Sequence, residues 1–175
     1  MQETNQSANE GGFDATTRLP VGVIMALTGG RWELNGAVVG KRFASDRVQR
    51  APLRQAEDSE LWLWTGLHLR LRMRYVDDYA LNINDDAPAL FVVCGRDAEG
   101  VPVPRMVTVS PEEAQGSDAT DLRSGAEEVL RTGMPPEVYR WLERFVLDNY
   151  KPRRKGGKKK RRTDPEEQWG RKGGQ

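Results

Sequence analysis

The chain has 175 residues, with 27 Lys or Arg, 26 Asp or Glu, one His and one Cys, a length that suits one domain with a core of its own. A single Cys excludes an internal disulfide framework and any multi-Cys metal site, and a single His excludes His-pair zinc centres. The net charge of +1 conceals an asymmetry: residues 151–175 hold eleven basic and three acidic side chains (+8), which leaves residues 1–150 at −7.

Residues 1–17, rich in Gln, Asn, Thr, Ser and Gly, are expected to be a disordered segment. They lack the basic-then-apolar pattern of a signal peptide. No apolar run approaches the roughly 20 residues of a membrane span. A soluble, cytoplasmic protein is the expectation. From there a single domain over 18–150 is predicted. Leu19 to Leu27 (LPVGVIMAL), bounded by Gly29–Gly30, reads as a buried strand. Arg31 to Phe43 reads as a second, irregular strand with Gly40 as its bulge, and the polar stretch 44–58 as a loop. Two further strands are expected on either side of Gly66. In Leu61 to Thr65, Trp62 and Trp64 share one face. Beyond it Leu67, Leu69, Leu71, Met73 and Tyr75 alternate with His68, Arg70, Arg72 and Arg74, the pattern of a strand with one buried and one polar face.

Val76 to Asn84 predicts a short helix opened by Asp77 and Asp78. A hairpin follows: Ala89 to Cys94, the connection RDAEG, and Val101 to Val109. Ser110-Pro111-Glu112-Glu113 has the form of a capping box and starts a small helix. Residues 118–133 read either as a helix or as a short strand near Glu128 to Arg131. Pro135 opens an amphipathic helix to about residue 150, with Val138, Trp141, Leu142, Phe145 and Val146 on its apolar stripe. Residues 151–175, with nine basic residues in KPRRKGGKKKRR, form a basic disordered tail. The fold class expected is α+β: a mostly antiparallel sheet of about five to seven strands, with the C-terminal amphipathic helix packed on it and disordered tails.

The chemistry-bearing residues are few. His68, Arg70, Arg72 and Arg74 would make a linear cationic track with a spacing of about 6.6–7 Å, an anion- or partner-binding candidate set against a plainly solvated face. In the tail Arg153, Arg154, Lys155, Lys158, Lys159, Lys160, Arg161 and Arg162 are the second candidate, suited to sequence-blind, salt-sensitive contact with nucleic acid or another polyanion. Cys94 closes an apolar strand and reads as core. Trp62 and Trp64 read as core or as a stacking platform. Glu57-Asp58, Asp77-Asp78 and Asp85-Asp86 lack calcium-loop spacing and read as caps and turns. No catalytic constellation, metal site or cofactor motif emerges, and no enzyme activity is expected.

The runs WTGLHLRLRMRYVDDYALNINDDAPALFVVCG, VPRMVTVSPEEAQ and MPPEVYRWLERFV, followed by a basic C-terminus, resemble a bacterial domain family of unknown function, encoded beside molybdenum-dependent formate dehydrogenases and their maturation chaperones. The likeness covers roughly residues 19–155. It implies a non-catalytic accessory or assembly protein supporting such an enzyme, with the molybdoenzyme or its chaperone as partner. One Cys and one His are too few to ligate an iron–sulfur cluster in the usual way, so such a protein would act as a binder and not as an electron carrier. The alternative is a nucleic-acid-associated protein acting through its tail. Open sheet edges leave homodimerisation open.

Overall fold

The computed structural model describes residues 17–116 and 128–152. The segments 1–16 and 153–175, on which the expectations of disordered tails fall, and 117–127 lie outside the described residues. The architecture is α+β, and the described residues form seven strands divided between two antiparallel sheets. The first sheet has the order β2-β1-β4-β3 and comprises β1 (Arg18–Thr28), β2 (Arg31–Val39), β3 (Gln49–Gln55) and β4 (Ser59–Arg70). The second has the order β6-β5-β7, from β5 (Ala89–Arg96), β6 (Pro102–Thr108) and β7 (Glu128–Gly133). Helix α1 (Val76–Ile83) follows the first sheet, the one-turn α2 (Pro111–Ala114) follows β6, and α3 (Pro136–Asn149) follows β7.

The two sheets close on each other, because β6 runs beside β4 and β7 beside β2. Their inner faces and the helices share one core. Val21, Val23 and Met25 of β1 meet Leu67 and Leu69 of β4, Leu90 and Val92 of β5, Tyr79 of α1, and Val138, Leu142 and Phe145 of α3. Tyr79 stands edge-on to Phe145, with ring centroids 6.0 Å apart. The helical stripe read from the sequence is the buried face of α3, with Trp141 half-buried at its margin.

Several sequence expectations are corrected. The second strand stops at Val39; its bulge falls at Asn35, opposite Ile24 and Met25, and Gly40 (φ 140°) ends the strand before a short 3-10 turn over Lys41–Phe43. Residues 49–55 form an edge strand and not a loop. QRAPLRQ is exposed at every position, so it has no apolar alternation to betray it, and Pro52 is tolerated because one side of an edge strand needs no partner. The two strands expected around Gly66 are one strand, β4, which ends at Arg70. The alternation carries on in the sequence, but Met73–Tyr75 form a 3-10 turn, so Met73 is exposed and not buried. Over 118–133 the strand reading holds for the part described, as β7.

Asn82 ties α1 to the second sheet. Its side chain sits on the buried face of the helix, donates from Nδ2 to the carbonyls of Ala89 (2.8 Å) and Val109 (2.7 Å), and accepts from the Ala89 amide (2.9 Å). One amide thereby satisfies three buried backbone groups at the start of β5 and just past the end of β6. Replacing it leaves all three without a partner, so Asn82→Ala is expected to lower unfolding stability by about 3 kcal/mol. Urea denaturation checks this; a loss below about 1 kcal/mol would mean that the strand ends find other partners.

Candidate functional site

The site starts at one residue of β4. Gly66 has φ +86°, and Thr65 and Gly66 together oppose the single residue Gly22 of β1. This bulge shifts the alternation, so Trp64 and Leu67, three apart, both face the core. It also marks a change of neighbour. β3 pairs with β4 only as far as Thr65, and the rest of β4 leans towards β6. A hollow of about 250 Å³ opens beside β4 where its pairing with β3 has ended and β6 comes alongside.

The hollow has apolar walls from Val48, Leu67, Met106 and Val107, and polar ones from His68, Arg70, Arg72, Arg105 and Glu113. Each charged group has its own local origin. His68 and Arg70 occupy the outward positions of β4, alternating with buried Leu67 and Leu69. Arg72 lies beyond the strand end in extended conformation, its backbone N–H donating to the Tyr79 hydroxyl (3.1 Å). Arg105 is the extra residue of a bulge in β6, between the pairs Val93–Met106 and Cys94–Pro104. Its guanidinium lies flat against Gly95, where a Cβ would come within 2.6 Å of it.

Glu113 anchors the floor. It is 8% exposed, ion-pairs with Arg72 (3.0 Å) and accepts from the Thr108 hydroxyl (2.5 Å). The Ser110 side chain caps α2 by accepting from the Glu113 amide (2.9 Å), as the sequence predicts. The reciprocal half of a capping box does not form, because the Glu113 carboxylate is committed to Thr108 and Arg72. The Ser110 hydroxyl also donates to Asp78, which accepts the Glu112 amide as well, and this joins α1 to α2. Asp78 therefore works as a structural cap. Asp85 likewise closes a turn by accepting from the Ala87 amide (2.8 Å), and Glu57-Asp58 sit in the β3–β4 turn. Among the described residues no three His, Cys, Asp or Glu side chains converge as metal ligands would.

The linear track is thus not what forms. His68, Arg70 and Arg72 are brought together with Arg105, which sequence reasoning missed. Arg74 is turned away onto the Tyr75 ring, 4.6 Å from its centroid, because β4 has already ended. The tail candidates, Arg153 to Arg162, lie outside the described residues. Trp64 is in the core, and Trp62 is half-buried beside it; Arg50 of β3 lies over both rings, at 4.8 Å from Trp62 and 5.7 Å from Trp64. Cys94 is buried, and burial pushes its thiol up to about 12, the setting of an inert core residue.

Burial, then the charges of Arg18 and Arg70, hold the His68 imidazole below its usual pKa of 6.5. Arg18 stands directly across from Arg70 in the β1–β4 register, and Pro20 across from His68. Like charges placed opposite each other on a sheet are unfavourable by themselves.

Two outcomes follow. Gly66→Ala would place a Cβ 2.2 Å from the Arg47 carbonyl oxygen at a positive φ, so the Arg47–Val48 backbone must move. A loss of about 2 kcal/mol or more is expected, with spectral changes centred on residues 47–48 and 66–72. A silent substitution would mean that the bulge is not what shapes the hollow. For His68 the folded state favours the neutral ring, so the unfolded state binds more protons below pH 6.5 and stability falls as pH drops through that value towards the lower folded pKa. His68→Gln should flatten that part of the stability curve, measured by urea midpoints between pH 5 and 7.5.

No curated protein and no solved structure matches this chain. One family model does, over residues 20–162, which takes in both sheets but for the first two residues of β1, helices α1 to α3 and every residue of the hollow. The chain belongs to that family, the Protein of unknown function (DUF3305) family.

Proposed function

We propose that this protein is a non-catalytic accessory or assembly factor whose folded domain is the binding module, and that a partner presents an anionic group to the hollow between β3 and β6. The observation carrying this reading is the meeting of Arg70 and Arg72 with Arg105, distant in sequence, around one concave site. Paired, planar guanidinium donors are the groups proteins use to recognise carboxylates and phosphates. Three groups of the described residues that could act as nucleophiles are engaged otherwise: the Cys94 thiol is buried, and Ser110 and Thr108 are tied into the Glu113 and Asp78 network. The resemblance drawn from the sequence puts a molybdenum-containing formate dehydrogenase, or its chaperone, forward as the partner, supported in maturation or activity by this protein.

An affinity capture from the source cells, with nuclease treatment, tests this. Full-length protein, a 1–150 truncation and the variant Arg70→Glu are compared. The buried core lies within residues 21–146, so the truncation leaves it whole. The expected outcome is a molybdoenzyme or its chaperone retained by the full chain and the truncation alike, and bound about tenfold more weakly by Arg70→Glu, a loss of about 1.4 kcal/mol. Capture of nucleic acid only, and only while residues 151–175 are present, would overturn this reading in favour of a nucleic-acid-associated protein working through its tail.

A further inference from the structure

We infer that the outer face of the first sheet, the face turned away from the core, is a docking surface for an amphipathic α-helix of a partner protein. The inference uses none of the residues lining the hollow and goes beyond the reading of that site.

Alternation assigns the two faces of β1. Val21, Val23 and Met25 are fully buried in the core, so Gly22, Ile24 and Ala26 point the other way. The register carries this outward set across the sheet. In the order β2, β1, β4, β3, one row runs Glu33–Ala26–Leu61–Arg54 and the next Gly36–Ile24–Leu63–Ala51. Val38, opposite Gly22, lies on the same face. A Cβ added at Gly22 would meet Leu63 at 2.9 Å, Phe43 at 3.0 Å and Val38 at 3.1 Å, so these three side chains gather over that glycine. None of Ile24, Ala26, Val38, Leu61, Leu63 and Phe43 belongs to the core cluster or packs against it.

The outward face of an antiparallel sheet in water is ordinarily polar. Over these two rows the middle is apolar, and charge is confined to Glu33 at the β2 edge and Arg54 at the β3 edge. Ile24, Ala26, Leu61 and Leu63 stay partly exposed, and Ala51 is exposed. Helices α1 and α3 serve the core on the opposite side, and α2 packs against the second sheet. The 3-10 turn Lys41–Phe43 stands over β1 and β4 and seats Phe43 at one end of the face.

The stretches of this chain outside the described residues are poorly suited to cover the rest. Their large apolar side chains are Met1 and Phe13 in 1–16, Leu122 in 117–127 and Trp169 in 153–175, and none of the three can form a stripe at i, i+3, i+4 and i+7. A second copy placed face to face is obstructed. Two facing sheets stand about 10 Å apart, and in each copy the 3-10 turn already takes up that gap over β1 and β4. A helix is the narrower object. It is about 10–12 Å wide, and three strand spacings of about 4.8 Å separate β2 from β3 by about 14 Å. It can therefore lie along the open rows with one end against the turn. Charge sets its flanks: a basic side towards Glu33 and an acidic side towards Arg54, with the apolar stripe on Ile24 and Leu63 between them.

The test places a photocrosslinker in the full-length chain within the source cells, as Leu61→p-benzoylphenylalanine. Leu147→p-benzoylphenylalanine, on the exposed side of α3, is the control. The adducts are digested and their attached segments identified by mass spectrometry. Expected from position 61, and not from 147, is a segment of another protein with apolar residues at i, i+3, i+4 and i+7. That segment, made as a synthetic peptide, should shift the NMR signals of residues 24, 26, 61 and 63 of the purified chain. A proline in the middle of the peptide should weaken its binding at least tenfold, as a helix requires. Ala51→Arg should weaken it about tenfold as well; Ala51 is exposed on an edge strand, so this variant keeps the fold, which its urea midpoint checks. Adducts confined to residues 1–16, 117–127 or 153–175 of the same chain would overturn the inference. So would adducts to a second copy, told apart by mixing labelled and unlabelled protein, or to segments without the helical stripe. No adduct above the level at position 147, or wild-type peptide binding by Ala51→Arg, would overturn it equally.

Discussion

The structure turns on the close approach of two backbones at Gly66. The Arg47 carbonyl occupies the space where any side chain at position 66 would begin, and the positive φ there suits glycine best. Because the chain can bulge at this point, β4 keeps its apolar side chains on the core through a change of phase. It pairs with β3 over its first half and leans on β6 over its second. A regular β4 would send either Trp64 or Leu67 to the outside. It would also let β3 run on alongside it, and no hollow would open. The site is therefore a consequence of strand geometry before it is a matter of charge.

A second constraint keeps the hollow's walls in place. β6 supplies Arg105 and belongs to the other sheet, so its position relative to β4 has to be maintained from outside both sheets. Asn82 does this from α1 by bonding the Ala89 and Val109 backbones, and Asp78 does it by bonding Ser110 and Glu112 at the start of α2. Glu113, held by that short helix, then reaches Thr108 and Arg72. The chain of contacts runs from the helix that follows β4 to the helix that follows β6. Its buried members are fully bonded, the condition under which a polar network specifies one arrangement and does not weaken the core. Several partners are far apart in sequence, so the geometry is a property of the folded domain and not of any local motif.

What was legible in the sequence follows from what leaves a periodic trace. The alternation of Leu67, Leu69 and Leu71 against His68 and Arg70 reflects one buried and one open face, and the α3 stripe reflects a helix against the core. β3 left no trace, because an edge strand exposed on all sides imposes no pattern on QRAPLRQ. The end of β4 was hidden for the opposite reason: Met73 and Tyr75 continue the period by composition while the backbone has already turned. Arg105 joined the site through a bulge, and a bulge changes the direction of a side chain without changing the residues around it. Asn82 did leave a signal, a polar residue beside Tyr79 and Ile83 on what should be an apolar helix face. Its meaning needed the strand ends that it bonds.

The charge distribution sets the folded domain and residues 151–175 apart. Of the −7 carried by residues 1–150, −5 falls on residues 1–16 and 117–127; the described residues up to 150, with 17 acidic and 15 basic side chains, stand at only −2. At physiological ionic strength so small a net charge is screened within about 8 Å, and the arginines lining the hollow set the potential there. A polyanion gains from the hollow only where one of its charges can be placed there alone. The tail, at +8, has the opposite character: many charges, little apolar surface, and attraction that sums over length. The arginines lining the hollow are thus a local concentration of positive charge in a nearly neutral fold, whereas the basic character of residues 151–175 is a matter of number and length.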